Sequence, residues 1–279
     1  MKLVNLRPTF QSTFAHKVIS PVVAQFARRG AALIAPPVCA LCAAAGQAAE
    51  GIWGMDLCEH CEAACPLLVS PCPRCALPGR PTPGRPTPGR PTPRSGAGPC
   101  ADCTVRPPPY DAVVAAFTYD FPVDHMVREL KFHQELSYGR VLGQLLGRAR
   151  RARSEPLPAL VVPMPLHRSR YVARGFNQAE EIARHAARSL GLPFSRRVLQ
   201  RRRATLEQSE LDATARQHNV RGAFCLAKRP AAVCVALVDD VLTTGSTAAE
   251  AARVLKDGGA TRVEVWVAAR ALPWRAAGE

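Results

Sequence analysis

From residue 110 onward, apolar positions fall into short continuous runs separated by stretches with helical spacing. The runs 112–117, 160–163, 232–238 and 262–268 predict buried strands, and 197–199 predicts a further short one. Residues 123–133 carry Val123, Met126, Val127 and Leu130 at helical spacing. Residues 138–149 repeat that spacing, 177–190 predict a helix stopped by Gly191, and 247–256 predict another. Continuous apolar strands require cover on both faces, and alternation with helices of this length predicts a parallel sheet. The expectation is therefore an α/β domain over residues 107–279.

Residues 38–106 follow a different rule. They hold few apolar groups but nine of the chain's 11 cysteines, eight of them in C-x2-C pairs: Cys39/Cys42, Cys58/Cys61, Cys72/Cys75 and Cys100/Cys103. Such a knuckle converges two thiolates on one ion, and two knuckles complete a tetrahedral shell. The eight ligands suit two structural Zn²⁺ ions. Sequential pairing puts Cys39, Cys42, Cys58 and Cys61 on one ion and Cys72, Cys75, Cys100 and Cys103 on the other. Spacing alone also admits a crossed pairing. Cys65 reads as a free, partly buried thiol, and Cys225 and Cys234 as core thiols. A segment this poor in apolar residues would draw folding energy from the metal. Inside it, residues 79–93 are three copies of Gly-Arg-Pro-Thr-Pro, a low-complexity repeat expected to form an extended solvated loop.

Residues 1–37 are basic and lack any acid. The segment makes a poor export signal; it reads as an amphipathic helix, with an organellar transit peptide as the alternative. Reduced thiols and a cytoplasmic location are expected. No apolar run is long enough to span a membrane.

Charge narrows the partner. The formal net charge is +15, from 37 Lys plus Arg against 22 Asp plus Glu. Residues 39–103 are neutral, with five arginines against five acids, so the excess lies in the N-terminal segment and after residue 103. An anionic partner is expected: a nucleic acid, nucleotide phosphates or pyrophosphate.

The stretch with the most chemistry is Val235-Ala-Leu-Val-Asp239-Asp240-Val-Leu-Thr243-Thr244-Gly245-Ser246-Thr247. A buried strand leads to two carboxylates, then to a loop of small hydroxylic residues and one glycine, then to a helix. Ligands of open α/β sheets sit beyond the carboxyl ends of the strands. A tight turn opening a helix presents backbone N–H groups that bind phosphate. Thr243, Thr244, Gly245, Ser246 and Thr247 would hold the phosphate. Asp239 and Asp240 would take a sugar's hydroxyls, or a Mg²⁺ shared with substrate oxygens. The competing reading is a turn at Asp240 followed by Thr or Ser capping the helix. The segment has neither the lysine of a P-loop nor a dinucleotide glycine fingerprint.

These 13 residues resemble the phosphoribosyl-pyrophosphate (PRPP) motif of type I phosphoribosyltransferases. Within that superfamily the chain resembles the ComF family on three more features: the double zinc ribbon, Leu130-Lys131-Phe132-His133, and the blocks 162–168 and 174–179. The second block reads Arg174-Gly-Phe-Asn177-Gln178-Ala. The resemblance implies the type I fold and a PRPP site on Asp239, Asp240 and Thr243–Thr247, with Mg²⁺ accompanying the substrate. It also implies an association with DNA uptake in natural competence.

Arg168, Arg170 and Arg174 are expected on a loop at the carboxyl end of a neighbouring strand. Their guanidinium groups would clamp pyrophosphate, as a type I pyrophosphate loop does. Residues 201–219 read either as a mobile lid or as a polar connector. Lys131, His133, His167 and His185 read as surface residues. The function expected first is transfer of a phosphoribosyl group to an acceptor that no residue pattern identifies. The alternative is a non-enzymatic relative that binds single-stranded DNA during transformation, beside the competence machinery.

Overall fold

The computed structural model describes residues 36–47, 54–79, 98–204, 220–230 and 233–273. The basic N-terminal segment, the repeat from residue 80 onward and the 205–219 part of the polar stretch lie outside the described residues.

Two one-turn helices, α1 (Glu59–Ala63) and α2 (Ala101–Val105), belong to the cysteine-rich part. Strand β1 (Ala112–Thr118) follows, then α3 (Val123–Arg128), which runs on as a π-helical turn over Glu129–His133. Gln134 ends that turn in the left-handed region at φ 61°. Next come α4 (Leu136–Arg151), β2 (Leu160–Pro163), α5 (Arg168–Arg174) and α6 (Gln178–Leu190). A hairpin-like pair, β3 (Leu199–Arg201) and β4 (Phe224–Leu226), precedes β5 (Cys234–Leu242), α7 (Ser246–Asp257) and β6 (Arg262–Arg270).

The main sheet has four strands in the order β1-β6-β5-β2, and every pairing is parallel. This is the α/β architecture that the apolar runs predict. Side chains alternate between two cores. Ala236, Val238, Trp266 and Ala268 face α3, α4 and α6, whereas Val235, Leu237, Val263, Val265 and Val267 face α7 and the β3–β4 pair. Both faces are covered, so the central strands carry no polar stripe.

Two strand boundaries and the burial of one histidine differ from the sequence reading. Strand β5 runs on to Leu242, past the aspartates, because its ladder with β6 continues to Leu242↔Arg270. The strand expected at 197–199 is β3, two residues later, paired antiparallel with β4. Its partner is only three residues long and has no period to read. His185 is half-buried instead of lying on the surface.

Helices α4 and α6 pack unusually close. Gly139, Gly143 and Gly147 recur every four residues on α4. A Cβ at Gly143 would lie 2.6 Å from both the Cβ of His185 and the backbone oxygen of Ile182. Glycine inside a helix costs about 1 kcal/mol; here the backbone approach requires it.

The cysteine-rich part shares the first core. Cys39, Met55, Leu57 and Cys58 are buried in the same cluster as Val141, Leu145 and Ile182. The Tyr138 hydroxyl donates to the Ala40 carbonyl at 2.9 Å, Arg140 pairs with Asp56, and Arg148 pairs with Glu62 at 3.1 Å. The sheet is anchored from below by Arg150, which is 1% exposed and pairs at 2.9 Å with Glu264, itself 2% exposed. The Trp266 indole N–H also donates to Glu264, and Arg150 donates to the carbonyls of Glu155 and Pro156. That satisfies both buried charges. Among the described residues no helix is long and apolar enough to cross a membrane.

Candidate functional site

The last residues of β5 carry Asp239 and Asp240 at the carboxyl edge of the sheet, and the chain then turns into α7. Each carboxylate is engaged from a different side. Asp240 accepts from the Gln178 side-chain amide of α6 at 3.2 Å. Asp239 lies beside the Arg201 guanidinium of β3. Burial pushes the Asp239 carboxyl well above the usual range, and the neighbouring charge of Asp240 pushes it further; Arg201 offsets only part of this. Burial lowers the Arg201 pKa, and the charge of Arg170 adds to that. So Arg170 also borders the site. Arg201 lies over the Phe224 ring at 5.5 Å.

The loop that follows is shaped by Gly245, which sits at φ 84° as the N-cap of α7. The N-cap itself has no side chain to offer. Thr244, one residue earlier, takes part of that role: its hydroxyl accepts from the Ser246 N–H at 3.4 Å and meets the Ser246 hydroxyl at 3.1 Å. The helix dipole still favours an anion at this start.

Arg168, Arg170 and Arg174 are not on a loop. They form the two-turn helix α5, opened by His167, whose ring nitrogen accepts from the Ser169 N–H, and closed by Gly175 at φ 79°. The helix forms because those two end signals bracket a run without proline or glycine. Helical spacing separates the three arginines. Arg174 turns toward Gln178, donating to its side-chain oxygen at 2.8 Å. That links Arg174 through Gln178 to Asp240. Asn177 fixes this corner by donating to the Met164 carbonyl at 2.9 Å and accepting from the Ala179 N–H. No described contact joins Arg168 to the aspartates.

The eight knuckle cysteines converge in two groups of four: Cys39, Cys42, Cys58 and Cys61; and Cys72, Cys75, Cys100 and Cys103. Within each group all sulfurs lie within 4.8 Å of one another. The Cys42–Cys58 and Cys75–Cys100 separations are 3.6 and 3.7 Å. Tetrahedral Zn²⁺ with Zn–S bonds of about 2.3 Å has an edge of about 3.8 Å, so both donor sets fit zinc and could hold one structural ion each. The grouping is the sequential one. Backbone N–H groups of Cys61 and Cys100 point at the sulfurs of Cys58 and Cys72. Although burial raises the thiol pKa at Cys39 and Cys72, such N–H donors outweigh it and bring them to about 6 and about 7. Burial, then hydrogen bonds with neighbouring thiols and their like charge, pushes Cys61 and Cys103 up. Four thiols that cannot all ionise together call for a cation. Cys65 stays outside, its thiol donating to the Cys61 carbonyl at 3.3 Å.

Four residues that sequence reasoning did not assign to the site border it: Gln178, Arg201, Tyr110 and Arg270. Tyr110 is buried with its hydroxyl against Gly245. Arg270, 3% exposed, reaches beneath the loop. Gln178 was legible only as part of a motif; a lone buried arginine or tyrosine has no sequence signature. Two open basins of about 470 and 490 Å³ lie elsewhere, and neither is lined by the aspartates or the loop.

No protein-family model matches this sequence. Curated relatives do. The DNA utilization protein YhgH of Salmonella typhi is 35% identical over 245 residues, 86% of this chain and 100% of that protein. Competence protein F of Haemophilus influenzae is 34% identical over 179 residues, 62% of this chain and 78% of that protein. Among solved structures, an allosteric regulatory enzyme of purine biosynthesis overlays with a TM-score of 0.32 and 20% identity, over 46% of this chain and 25% of that one.

Proposed function

The chain belongs to the ComF family, that of DNA utilization protein YhgH and competence protein F, and on that premise we propose that it binds Mg²⁺·PRPP and transfers the phosphoribosyl group. The observation that carries this reading is the β5–loop–α7 corner. It joins two carboxylates, a left-handed Gly245 and the hydroxyl-lined start of α7. The 5-phosphate takes the N–H groups and hydroxyls of Thr243, Thr244, Gly245, Ser246 and Thr247. The ribose hydroxyls donate to Asp239 and Asp240. Arg170 and Arg174 face the pyrophosphate, with Arg168 at the outer end of the same helix.

The donor set suits Mg²⁺. A carboxyl whose charged form is disfavoured by burial and by the adjacent Asp240 gains from a cation, and Mg²⁺ takes few protein ligands beside substrate oxygens and water. When bound, the ion would neutralise pyrophosphate oxygens. The protein's own part is positioning. It holds the anomeric carbon between the arginines and the acceptor, whose nucleophilic atom forms the new bond as the C–O bond breaks. The electron pair leaves with pyrophosphate, and the acceptor's proton goes to solvent. The process served is DNA utilization, by analogy with the relatives' names. Calorimetric titration of Mg²⁺·PRPP into wild type, Asp239→Asn and Asp240→Asn tests this. Binding should be lost in both variants with folding retained; equal affinity in all three would end the reading.

A second reading, binding of single-stranded DNA, has an observation of its own. Phe132 is exposed on the π-helical turn, with the Lys131 ammonium 5.3 Å and the Arg174 guanidinium 5.9 Å from its ring centre. Bases stack on such aromatics while cations hold the backbone. Phe132→Ala should then weaken an oligo-dT complex about tenfold; unchanged affinity would remove this reading.

A further inference from the structure

The second cysteine cluster and the candidate phosphate loop are joined by one buried side chain. Arg270 ends β6, where it pairs across the ladder with Thr118 on one side and Leu242 on the other. Its Nε donates to the Cys75 carbonyl at 2.8 Å. Its Nη1 donates to the Leu242 carbonyl at 2.6 Å, to the Ala271 carbonyl at 2.8 Å, and to the Thr243 carbonyl. A single planar guanidinium therefore holds a metal-knuckle residue and the first two residues of the loop.

The consequence follows from peptide geometry. In a trans peptide the C=O and the next N–H point in opposite directions. Drawing the Leu242 and Thr243 carbonyls in toward Arg270 turns the N–H groups of Thr243 and Thr244 outward. The same cluster supports the loop a second way: the Tyr110 hydroxyl rests against Gly245 from below, and the Val113 N–H on the adjoining strand donates to the Pro73 carbonyl of the knuckle. The guanidinium is rigid, so its aim depends on where the Cys75 carbonyl sits. That carbonyl belongs to a residue whose sulfur is one of the four converging donors.

We propose that Arg270 is a positioning residue that transmits the state of the Cys72/Cys75/Cys100/Cys103 cluster to the loop, so that metal occupancy of this cluster sets the order of residues 242–247. Loss of the metal frees the knuckle, the Cys75 carbonyl moves, and the loop carbonyls lose their shared donor. The effect on phosphate affinity rests on the PRPP reading; the effect on loop order does not.

Hydrogen exchange of the full-length, zinc-loaded chain reads the loop without any ligand. In Arg270→Met, amides of 242–247 should exchange at least tenfold faster, with α6 unchanged. Chelation matched to loss of the second ion, or Cys75→Ser, should do the same. Combining Cys75→Ser with Arg270→Met should add little, because both cut one link. Val265→Ala is the control: it lowers stability from the same strand and should leave the loop's exchange alone. Should Arg270→Met fail to fold, Arg270→Lys keeps a cation but lacks the planar fork that reaches the Cys75 carbonyl from one edge and the loop carbonyls from the other, and should show the same loop exchange. Unchanged loop exchange in the variants and on chelation overturns the proposal, as does equal acceleration in Val265→Ala. The same samples are then titrated with Mg²⁺·PRPP. Faster loop exchange with a wild type that binds no PRPP upholds the link and rejects the PRPP reading instead.

Discussion

Gly245→Ala is the sharpest local perturbation of the loop. Two independent costs meet at this residue. Its φ of 84° is a conformation that an L side chain pays about 1–2 kcal/mol to adopt. A Cβ built there would also lie 2.9 Å from the Tyr110 hydroxyl, which is 4% exposed and has little room to retreat. Overpacking of that kind costs about 1–3 kcal/mol. Urea unfolding of Gly245→Ala should therefore show a loss of about 2–5 kcal/mol relative to wild type. The two costs separate in a cycle. Tyr110→Phe removes the offending oxygen, so in the alanine background it should restore about 1–3 kcal/mol and leave the backbone cost of about 1–2 kcal/mol in place. A loss below about 0.5 kcal/mol for Gly245→Ala would refute the reasoning, since that is what an ordinary surface change costs. Failure of Tyr110→Phe to restore anything would show that the contact is not the cause.

Three further outcomes follow from the fold. Burial and then the charges of Arg188, Arg140 and Arg184 lower the His185 pKa to about 4 from its ordinary 6.5. The fold thus disfavours the charged ring, so its contribution is whole above pH 6.5 and is lost as pH falls toward 4. After solvent screening of a half-buried ring this amounts to about 2 kcal/mol, and His185→Asn should flatten the stability profile over that window; an unchanged profile would contradict the burial. Arg150→Met leaves the buried Glu264 carboxylate with only the Trp266 indole N–H and the partly exposed Arg262, 3.4 Å away, and should cost about 3 kcal/mol in urea unfolding, whereas Arg150→Met with Glu264→Leu should recover much of it; a loss below about 1 kcal/mol in the single variant would contradict the pairing. Stripping both cysteine clusters with a chelator should release two zinc ions per chain by a colorimetric assay and unfold residues 36–79 by hydrogen exchange; an unchanged exchange pattern would remove their structural role.

Much of the α/β architecture was written in the apolar runs because buried parallel strands tolerate nothing else. Val235, Leu237, Val263 and Val265 could be placed in the core from sequence alone. The helix ends at Asn177 and Gly191 were equally plain, since a side-chain cap and a left-handed glycine are local devices. The sequential grouping of the cysteines was one of two legible options, and only the fold chose between them. What stayed hidden depended on partners far along the chain. Strand β5 extends through Asp239 and Asp240 because β6 pairs with it that far, although aspartate is a poor strand former. His185 is half-buried because the glycines of α4 admit α6 so closely. Arg270 looks like any arginine after an apolar run; its four carbonyl partners come from residues as distant as Cys75. The arginines 168, 170 and 174 were read as a loop because a seven-residue helix carries too few apolar positions to show a period.

The central claim is that the corner after β5 is a PRPP site. Its most direct test is calorimetric titration of the zinc-loaded chain with PRPP, with and without Mg²⁺. The account predicts one site per chain, micromolar affinity of about −8 kcal/mol, dependence on Mg²⁺, and loss of binding in Asp240→Asn. No heat of binding under any Mg²⁺ concentration, or binding that survives Asp240→Asn unchanged, would contradict it.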